Sequence, residues 1–220
     1  MAHRWALVVA LLAAPSAAWS NGDAPADGPA TVFERFVLSA CSPCVRESYL
    51  VGSLATAPMP LSGAPRAAAA AAARPGEIAI EVLRAQQLGR PGWTSLALRV
   101  TLSVIASSGG ESYRLATGLL DGADVRTLAD AVAELAKTAA APAATVSPES
   151  TDIDFHGGSL RVGVLRMRGE SVAYVQAGDL RILLQRSIWE VPTTLYLPVK
   201  DLPALAAALG QAAATIEKVR

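Results

Sequence analysis

The sequence has few aromatic residues, few charged residues and no excess of charge of either sign. Aromatic residues make up 5% and charged residues 17% of the 220 positions, and 19 Lys and Arg balance 19 Asp and Glu. A chain of zero net charge has no general attraction to nucleic acid or to an anionic membrane. Because single-stranded nucleic acid also requires aromatic stacking platforms, the composition argues against a nucleic-acid partner.

Histidine is almost absent, and the short motifs of common enzyme families are missing. The chain contains no G-x-G-x-x-G, P-loop, G-x-S-x-G or H-E-x-x-H motif. His156 is the only histidine beyond His3, so neither a multi-histidine metal set nor a Ser-His-Asp set can be assembled. We therefore predict no catalytic residue, no metal site and no cofactor.

One acidic segment begins like a calcium-binding loop. Asp152-x-Asp154-x-His156-Gly157 has the spacing of the first ligands, but Gly163 stands where such a loop requires a carboxylate. Ile153 and Phe155 alternate with the polar residues, a pattern typical of a strand with one polar face. The strand interpretation is favoured.

The N-terminal residues have the pattern of a secretory signal peptide. A basic start is followed by the apolar run Ala6–Ala14, by Pro15 and by small residues near Ser20. The apolar run is too short to span a bilayer. We expect residues 1–20 to be cleaved, which predicts a periplasmic or secreted protein whose mature chain has no transmembrane span.

Between the signal peptide and residue 77 the pattern is irregular. We assign residues 21–76 to a flexible leader, a Cys-x-x-Cys segment and an Ala/Pro-rich linker. Inside this region the apolar pieces Val32–Leu38 and Val45–Leu54 suit a helix or a strand equally well.

From residue 77 onward, short apolar segments alternate as strands do, in two series. Leu96–Val104 is the clearest half-buried strand, and Gly157-Gly158 is a hairpin signal. Each series ends in an Asp-(Val/Leu)-x-x-Leu-Ala-x-Ala-(Val/Leu) segment, starting at Asp124 and at Asp201, with its apolar residues in one helical stripe. Each of these two aspartates is predicted to be an N-cap.

These patterns predict an α+β fold of two tandem antiparallel β-meander units, residues 77–140 and 151–220. Each unit is expected to be closed by its C-terminal amphipathic helix, which packs on the sheet of its own half. The tandem β-β-β-β-α order resembles, in topology alone, the Whirly-type single-strand-binding fold. No function is carried over from that resemblance.

Cys41 and Cys44 are the only cysteines, and in an oxidising compartment so close a pair is expected to form a disulfide with a local structural role. The alternative is a redox pair, with Cys41 at a helix N-terminus that lowers its pKa. Val191-Pro192-Thr193 resembles the proline loop that faces the thiols in thioredoxins. Leu38-Ser39-Ala40-Cys41 also spells a lipobox, but charged residues directly before it interrupt the apolar core that a lipobox must end.

Arginines cluster in the second unit, where they predict a solvated outer face or, less commonly, an anion-binding patch. Arg166 has the phase of the apolar residues Val162 and Val164, so either the strand leaves the core there or a bulge changes its face. Trp93 and Trp189 lie beside proline-containing turns and are interpreted as half-buried loop anchors. The clustered arginines are Arg161, Arg166, Arg168, Arg181 and Arg186.

A well-patterned scaffold without a catalytic set favours a binding role. We predict an exported envelope protein that is a non-enzymatic binding or interaction module, with another envelope protein as its candidate partner. The alternative is a periplasmic thiol-disulfide oxidoreductase that uses Cys41 and Cys44.

Overall fold

The structure, a computed structural model, describes residues 31–59, 75–105, 112–140, 150–167, 170–178 and 193–220. The predicted signal peptide and nearly all of the predicted leader and Ala/Pro-rich linker lie outside these ranges. Within them the chain forms three α-helices and eight strands. The helices are α1 (Val32–Ser39), α2 (Val125–Ala140) and α3 (Leu202–Val219).

The strands form two four-stranded antiparallel sheets, each in simple sequential order. The first sheet contains β1 (Cys44–Thr56), β2 (Gly76–Gln87), β3 (Thr94–Ile105) and β4 (Ser112–Asp121). The second contains β5 (Ser150–Gly157), β6 (Leu160–Met167), β7 (Glu170–Ala177) and β8 (Thr193–Pro198). The predicted α+β architecture of two tandem antiparallel meanders is confirmed.

The first sheet starts earlier than the predicted boundary at residue 77. β1 pairs with β2 along its whole length, from Cys44 opposite Gln87 to Thr56 opposite Gly76. A register shift between Leu50 and Gly52 changes the phase of the strand in its middle. This bulge hides the two-residue period that identifies a strand in the sequence.

The two long helices bury the predicted stripes, but they exchange sheets. α2 approaches the second sheet most closely, at β5 and β6, whereas α3 approaches the first, at β1 and β2. The helices also pack against each other. The expectation that each unit is closed by its own C-terminal helix is therefore confirmed only in part: a helix covers each sheet, but its main strand contacts are with the sheet of the other half. The buried stripe residues are Val125, Leu128, Val132 and Leu135 in α2 and Leu202, Leu205, Leu209 and Ile216 in α3.

Both halves contribute to a single hydrophobic core. The inward residues of β2 and β3, such as Ile80 and Leu98, belong to the same buried cluster as Val162 of β6 and Leu195 of β8. Neither sheet covers its apolar face with elements of its own half alone. None of the helices in the described ranges combines the length and the hydrophobicity that a bilayer span requires.

The predicted aspartate caps of the long helices are not used as expected. The side chain of Asp201 makes no capping hydrogen bond. Asp124 lies inside a 3-10 turn, Gly122–Asp124, that leads directly into α2. A second 3-10 turn precedes α3, where the Leu202 N–H donates to the Val199 carbonyl. Because these turns satisfy backbone groups themselves, a carboxylate cap is not required. Burial, and secondarily the charge of Asp121, raises the pKa of Asp124.

The carboxylate that does cap a helix belongs to Asp121, at the end of β4. Its two oxygens accept from the N–H groups of Val32 and Phe33, each at 2.9 Å. Thr31 and Glu34 add a reciprocal capping box at the same helix end. Asp121 therefore attaches the N-terminus of α1 to the far edge of the first sheet.

We expect Asp121→Ala to lower the free energy of unfolding by about 1–2 kcal/mol, because two helix N–H groups lose a charged acceptor. Asp201→Ala is the matched control and should change it by less than about 0.5 kcal/mol. Urea denaturation of both variants measures the difference. A larger loss for Asp201→Ala than for Asp121→Ala would contradict this assignment of the caps.

The two sheets are also hydrogen-bonded to each other, at Ser159 in the β5–β6 turn. The Ser159 N–H donates to the Leu119 carbonyl at 3.0 Å, and the Leu119 N–H donates to the Ser159 hydroxyl at 2.8 Å. The Ser159 carbonyl accepts from Gly178 at 3.1 Å. Ser159 is buried, and its contacts fix the edge of β4 against the second sheet.

Candidate functional site

Exposed apolar side chains are concentrated at one end of the first sheet. Among the described residues, four of the six large hydrophobic side chains that are exposed lie there, with exposed fractions of 41% to 76%. They come from the last turn of α1, the start of β1 and the β2–β3 turn, and they lie around the Cys41–Cys44 pair. We call this surface the disulfide tip. Its apolar members are Leu38, Val45, Leu88 and Trp93.

Cys41 and Cys44 are bonded to each other, with their Cα atoms 4.9 Å apart. Cys41 is only 6% exposed and packs with Phe33, Ala85 and Ala97 in a small cluster that is separate from the main core. The disulfide thus joins the end of α1 to the start of β1 and holds the helix against the outer face of the first sheet.

The β2–β3 turn projects from the same end and has an ordered backbone. The Leu88 N–H donates to the Pro43 carbonyl, between the two cysteines, at 2.9 Å. Inside the turn, Trp93 donates to the Arg90 carbonyl at 2.9 Å, and Gln87 donates to the Trp93 carbonyl at 3.0 Å. Leu88 and Trp93 are therefore exposed on a fixed backbone.

Cations accompany the apolar side chains of the disulfide tip. The Arg90 guanidinium lies 4.9 Å from the centre of the Trp93 ring, a cation–π distance. Arg46 is exposed on β1. The acidic side chains of α1 and β1 have other partners, since Glu34 caps α1 and Glu47 pairs with Arg84 at 2.9 Å. The tip is consequently apolar and locally cationic.

The position of Cys41 does not suit a redox nucleophile. Cys41 follows the C-terminal end of α1, where its N–H donates to the Phe36 carbonyl at 3.0 Å. The oxidoreductase interpretation requires a helix N-terminus, whose partial positive charge stabilises a thiolate, whereas a C-terminus has the opposite effect. A sulfur bonded to Cys44 also cannot carry the thioether of a lipobox cysteine in the same molecule. Val191 and Pro192 of the proposed thiol-facing loop lie outside the described residues.

We expect the double variant Cys41→Ser, Cys44→Ser to keep its far-UV circular dichroism and to lose about 2 kcal/mol of stability. The closed loop is short, so its loss removes little chain-entropy stabilisation, and the main core contains neither cysteine. The measurement is thermal and urea unfolding beside the oxidised wild type. Rapid iodoacetamide labelling of Cys41 near pH 6 after mild reduction would contradict the structural role.

The polar residues of β5 lie on the outer face of the second sheet, as the alternating pattern predicted. Arg161 of β6 bridges two of them, with Nε 2.7 Å from Asp154 and Nη2 2.8 Å from Asp152. The Tyr174 hydroxyl donates to the second oxygen of Asp152 at 2.9 Å, and burial is the main cause that raises its pKa. Arg161 thus pairs with both carboxylates, and this arrangement favours neither a calcium loop nor an anion patch.

Arg166 has a separate structural role. Its strand keeps a regular register with both neighbours, so no bulge changes its face. The guanidinium donates to the Thr138 carbonyl in the last turn of α2, where free carbonyl groups favour a cation. Of the two alternatives, the strand leaves the core at this point. The remaining clustered arginines, Arg168, Arg181 and Arg186, and Trp189 lie outside the described residues.

A cleft formed by described residues is smaller than most ligand pockets, and the acidic side chains of the described ranges do not form a metal site. A cleft of about 210 Å³ lies between the start of β3 and the end of α3, lined by Leu96, Ile216 and Arg220 among others. Ligand pockets usually measure about 300–1,000 Å³. In the described ranges, no three His, Cys, Asp or Glu side chains are close enough to hold a metal ion.

Comparison with known proteins adds no function to this site. No protein-family model matches the sequence, and no curated protein matches it. Sequence reasoning identified Cys41, Cys44 and Trp93 but did not bring them together. The signal that it missed is the hairpin register, because pairing Cys44 with Gln87 places the β2–β3 turn beside the disulfide.

Proposed function

We propose that this chain is an exported, non-enzymatic interaction protein of the bacterial envelope, which binds its partner through the disulfide tip. The observation that carries the proposal is the exposure of four large apolar side chains around one disulfide and one ordered turn. Exposed apolar side chains that form a contiguous group on a folded protein commonly mark an interaction site.

The energetics favour binding at this surface. Full burial of a leucine-sized or aromatic side chain contributes about 1.5–3 kcal/mol, so burying the exposed parts of Leu88 and Trp93 contributes roughly 2–3 kcal/mol toward the roughly 8 kcal/mol of a micromolar affinity. Binding also orders little additional backbone, because hydrogen bonds to Pro43 and within the turn already fix Leu88 and Trp93. A preformed surface keeps more of its interaction energy as affinity.

Export is the second part of the proposal. It is supported by the signal-peptide pattern of residues 1–20 and by a disulfide, which persists in oxidising compartments such as the periplasm. The mature chain should begin near Asn21, which N-terminal sequencing of exported material determines. A mature chain that starts at Cys41 and carries a lipid mass would overturn this cleavage site.

The binding proposal is tested by photo-crosslinking in whole cells. A photoreactive residue in place of Val45 should give a discrete adduct, of protein or of lipid, whereas one in place of Gln211, exposed on α3, should not. The additional changes Leu88→Ser and Trp93→Ser should remove the Val45 adduct while circular dichroism shows an unchanged fold. No adduct at Val45, or the same adduct at both positions, would contradict the proposed function.

The oxidoreductase alternative is tested by insulin reduction with a Cys41→Ser control. We expect no turnover that depends on the cysteines, because Cys41 is buried at a helix C-terminus. Cysteine-dependent turnover would favour the oxidoreductase over an interaction protein.

A further inference from the structure

The β2–β3 turn combines the side chains that bind membrane interfaces. Leu88 and Trp93 stand at the two ends of a projecting turn, both at least half exposed, with Arg90 between them. Val45 and Arg46 follow the disulfide that supports the turn, and both are exposed. The surface therefore presents apolar tips with arginines among them.

We infer that the disulfide tip docks on an anionic phospholipid bilayer, with Leu88 and Trp93 in the interfacial layer and Arg46 and Arg90 on lipid phosphates. This inference rests on the proposed function and names the partner that the tip contacts. It concerns reversible attachment to the surface of the bilayer.

The chemistry of Trp93 suits the interfacial layer. Indole combines an apolar body with one N–H donor, and tryptophan is enriched where hydrocarbon meets lipid headgroups. Arg90 lies against the ring of Trp93 at 4.9 Å. Arginine keeps its charged end at the polar level while its stem follows an apolar surface, so both side chains can occupy the same depth.

Local charge complements anionic lipid even though the chain is neutral overall. Among the described residues neither Arg46 nor Arg90 forms an ion pair, whereas Glu34 and Glu47 are engaged in the cap and with Arg84. One cation near an anionic leaflet gains about 1 kcal/mol, which corresponds to about a fivefold increase in affinity. With two arginines the attraction is short-ranged and sensitive to salt.

The size and shape of the surface favour a bilayer over a folded protein. A stable protein interface usually involves about 20–30 residues on each side. The disulfide tip offers four apolar side chains at the end of a sheet, around a projecting turn. The lipids of a bilayer can rearrange around such a tip, whereas a folded protein partner needs a groove that matches its shape. Few anchors give weak, reversible binding, as is usual for surface attachment.

Vesicle co-flotation of the mature, oxidised chain tests the inference. Binding should be found on vesicles of phosphatidylglycerol and phosphatidylethanolamine, weaken on pure phosphatidylcholine, and fall at high salt. Leu88→Ser with Trp93→Ser should lower the partition coefficient at least tenfold on anionic vesicles. Arg46→Gln and Arg90→Gln should each lower it about fivefold there. Leu50→Ser, at a leucine of β1 that is 71% exposed and outside the tip, is the control and should bind as wild type does.

The outcomes separate this inference from the proposed function. No flotation, together with a Val45 crosslink to a protein that depends on Leu88 and Trp93, overturns the membrane inference and leaves the interaction function intact. No flotation and no crosslink overturns both. Flotation that the tip variants do not weaken, or that Leu50→Ser weakens equally, also overturns the inference.

Discussion

Replacing Leu128 or Leu205 by alanine should lower the free energy of unfolding by about 2–5 kcal/mol, as truncation of a fully buried leucine does. Leu128 is 0% and Leu205 2% exposed, and both belong to the core that the two halves share. Because α2 approaches the second sheet and α3 the first, each cavity affects a sheet from the other half. The two variants should therefore unfold in one cooperative transition.

Leu50→Ala is the matched control, because it removes the same atoms from an exposed position on β1. We expect a change of less than about 0.5 kcal/mol. Urea denaturation followed by far-UV circular dichroism and by tryptophan fluorescence measures stability and cooperativity together. Two separate transitions, or midpoints equal to wild type for both core variants, would contradict a single core closed by exchanged helices.

Gly158→Ala should lower the free energy of unfolding by about 2–5 kcal/mol by damaging the junction of the two sheets. Gly158 has φ of +57°, and a Cβ atom there would lie 2.2 Å from the Leu119 carbonyl oxygen. The obstacle is backbone, and that carbonyl accepts the Ser159 N–H. Left-handed strain costs about 1–2 kcal/mol, and a buried hydrogen bond left unmade costs about 1–3 kcal/mol more.

The Gly89→Ala variant separates the cost of backbone strain from the cost of a steric clash. Gly89 also has positive φ, +79°, but a Cβ atom there would meet nothing within 4 Å. The free energy of unfolding of Gly89→Ala should therefore fall only by the cost of the backbone strain, about 1–2 kcal/mol. Differential scanning calorimetry compares the two variants. Equal losses for Gly158→Ala and Gly89→Ala would show that the contact between Gly158 and Leu119 does not hold the sheets together.

The sequence predicted an element correctly wherever a single hydrophobic periodicity runs through that element. The alternation of Leu96–Val104 predicted β3, and the stripes that start at Val125 and Leu202 predicted α2 and α3. Alternation likewise placed Asp152 and Asp154 on a polar strand face, where Arg161 bridges them. Period and phase determine whether a residue faces the core, so these predictions depend only on neighbours in the chain.

Long-range partners were less predictable. An amphipathic stripe shows that a helix face is buried, but it carries no information about which sheet covers that face. Asp121 caps α1 at Val32, which lies 89 positions away in the chain, and no local sequence pattern indicates this contact. The disulfide tip depends in the same way on register, since Leu88 contacts Pro43 only once β1 and β2 have paired. The bulge near Leu50 concealed that pairing.

The exchange of α2 and α3 sets the order in which this protein can finish folding. Residues 202–219 are synthesised after all four strands of the first sheet, yet they contact the inner face of that sheet. Until α3 has formed, no helix covers the inward apolar side chains of β2 and β3, so the core of a nascent chain is incomplete. The stable state therefore requires residues 202–219 to have been synthesised.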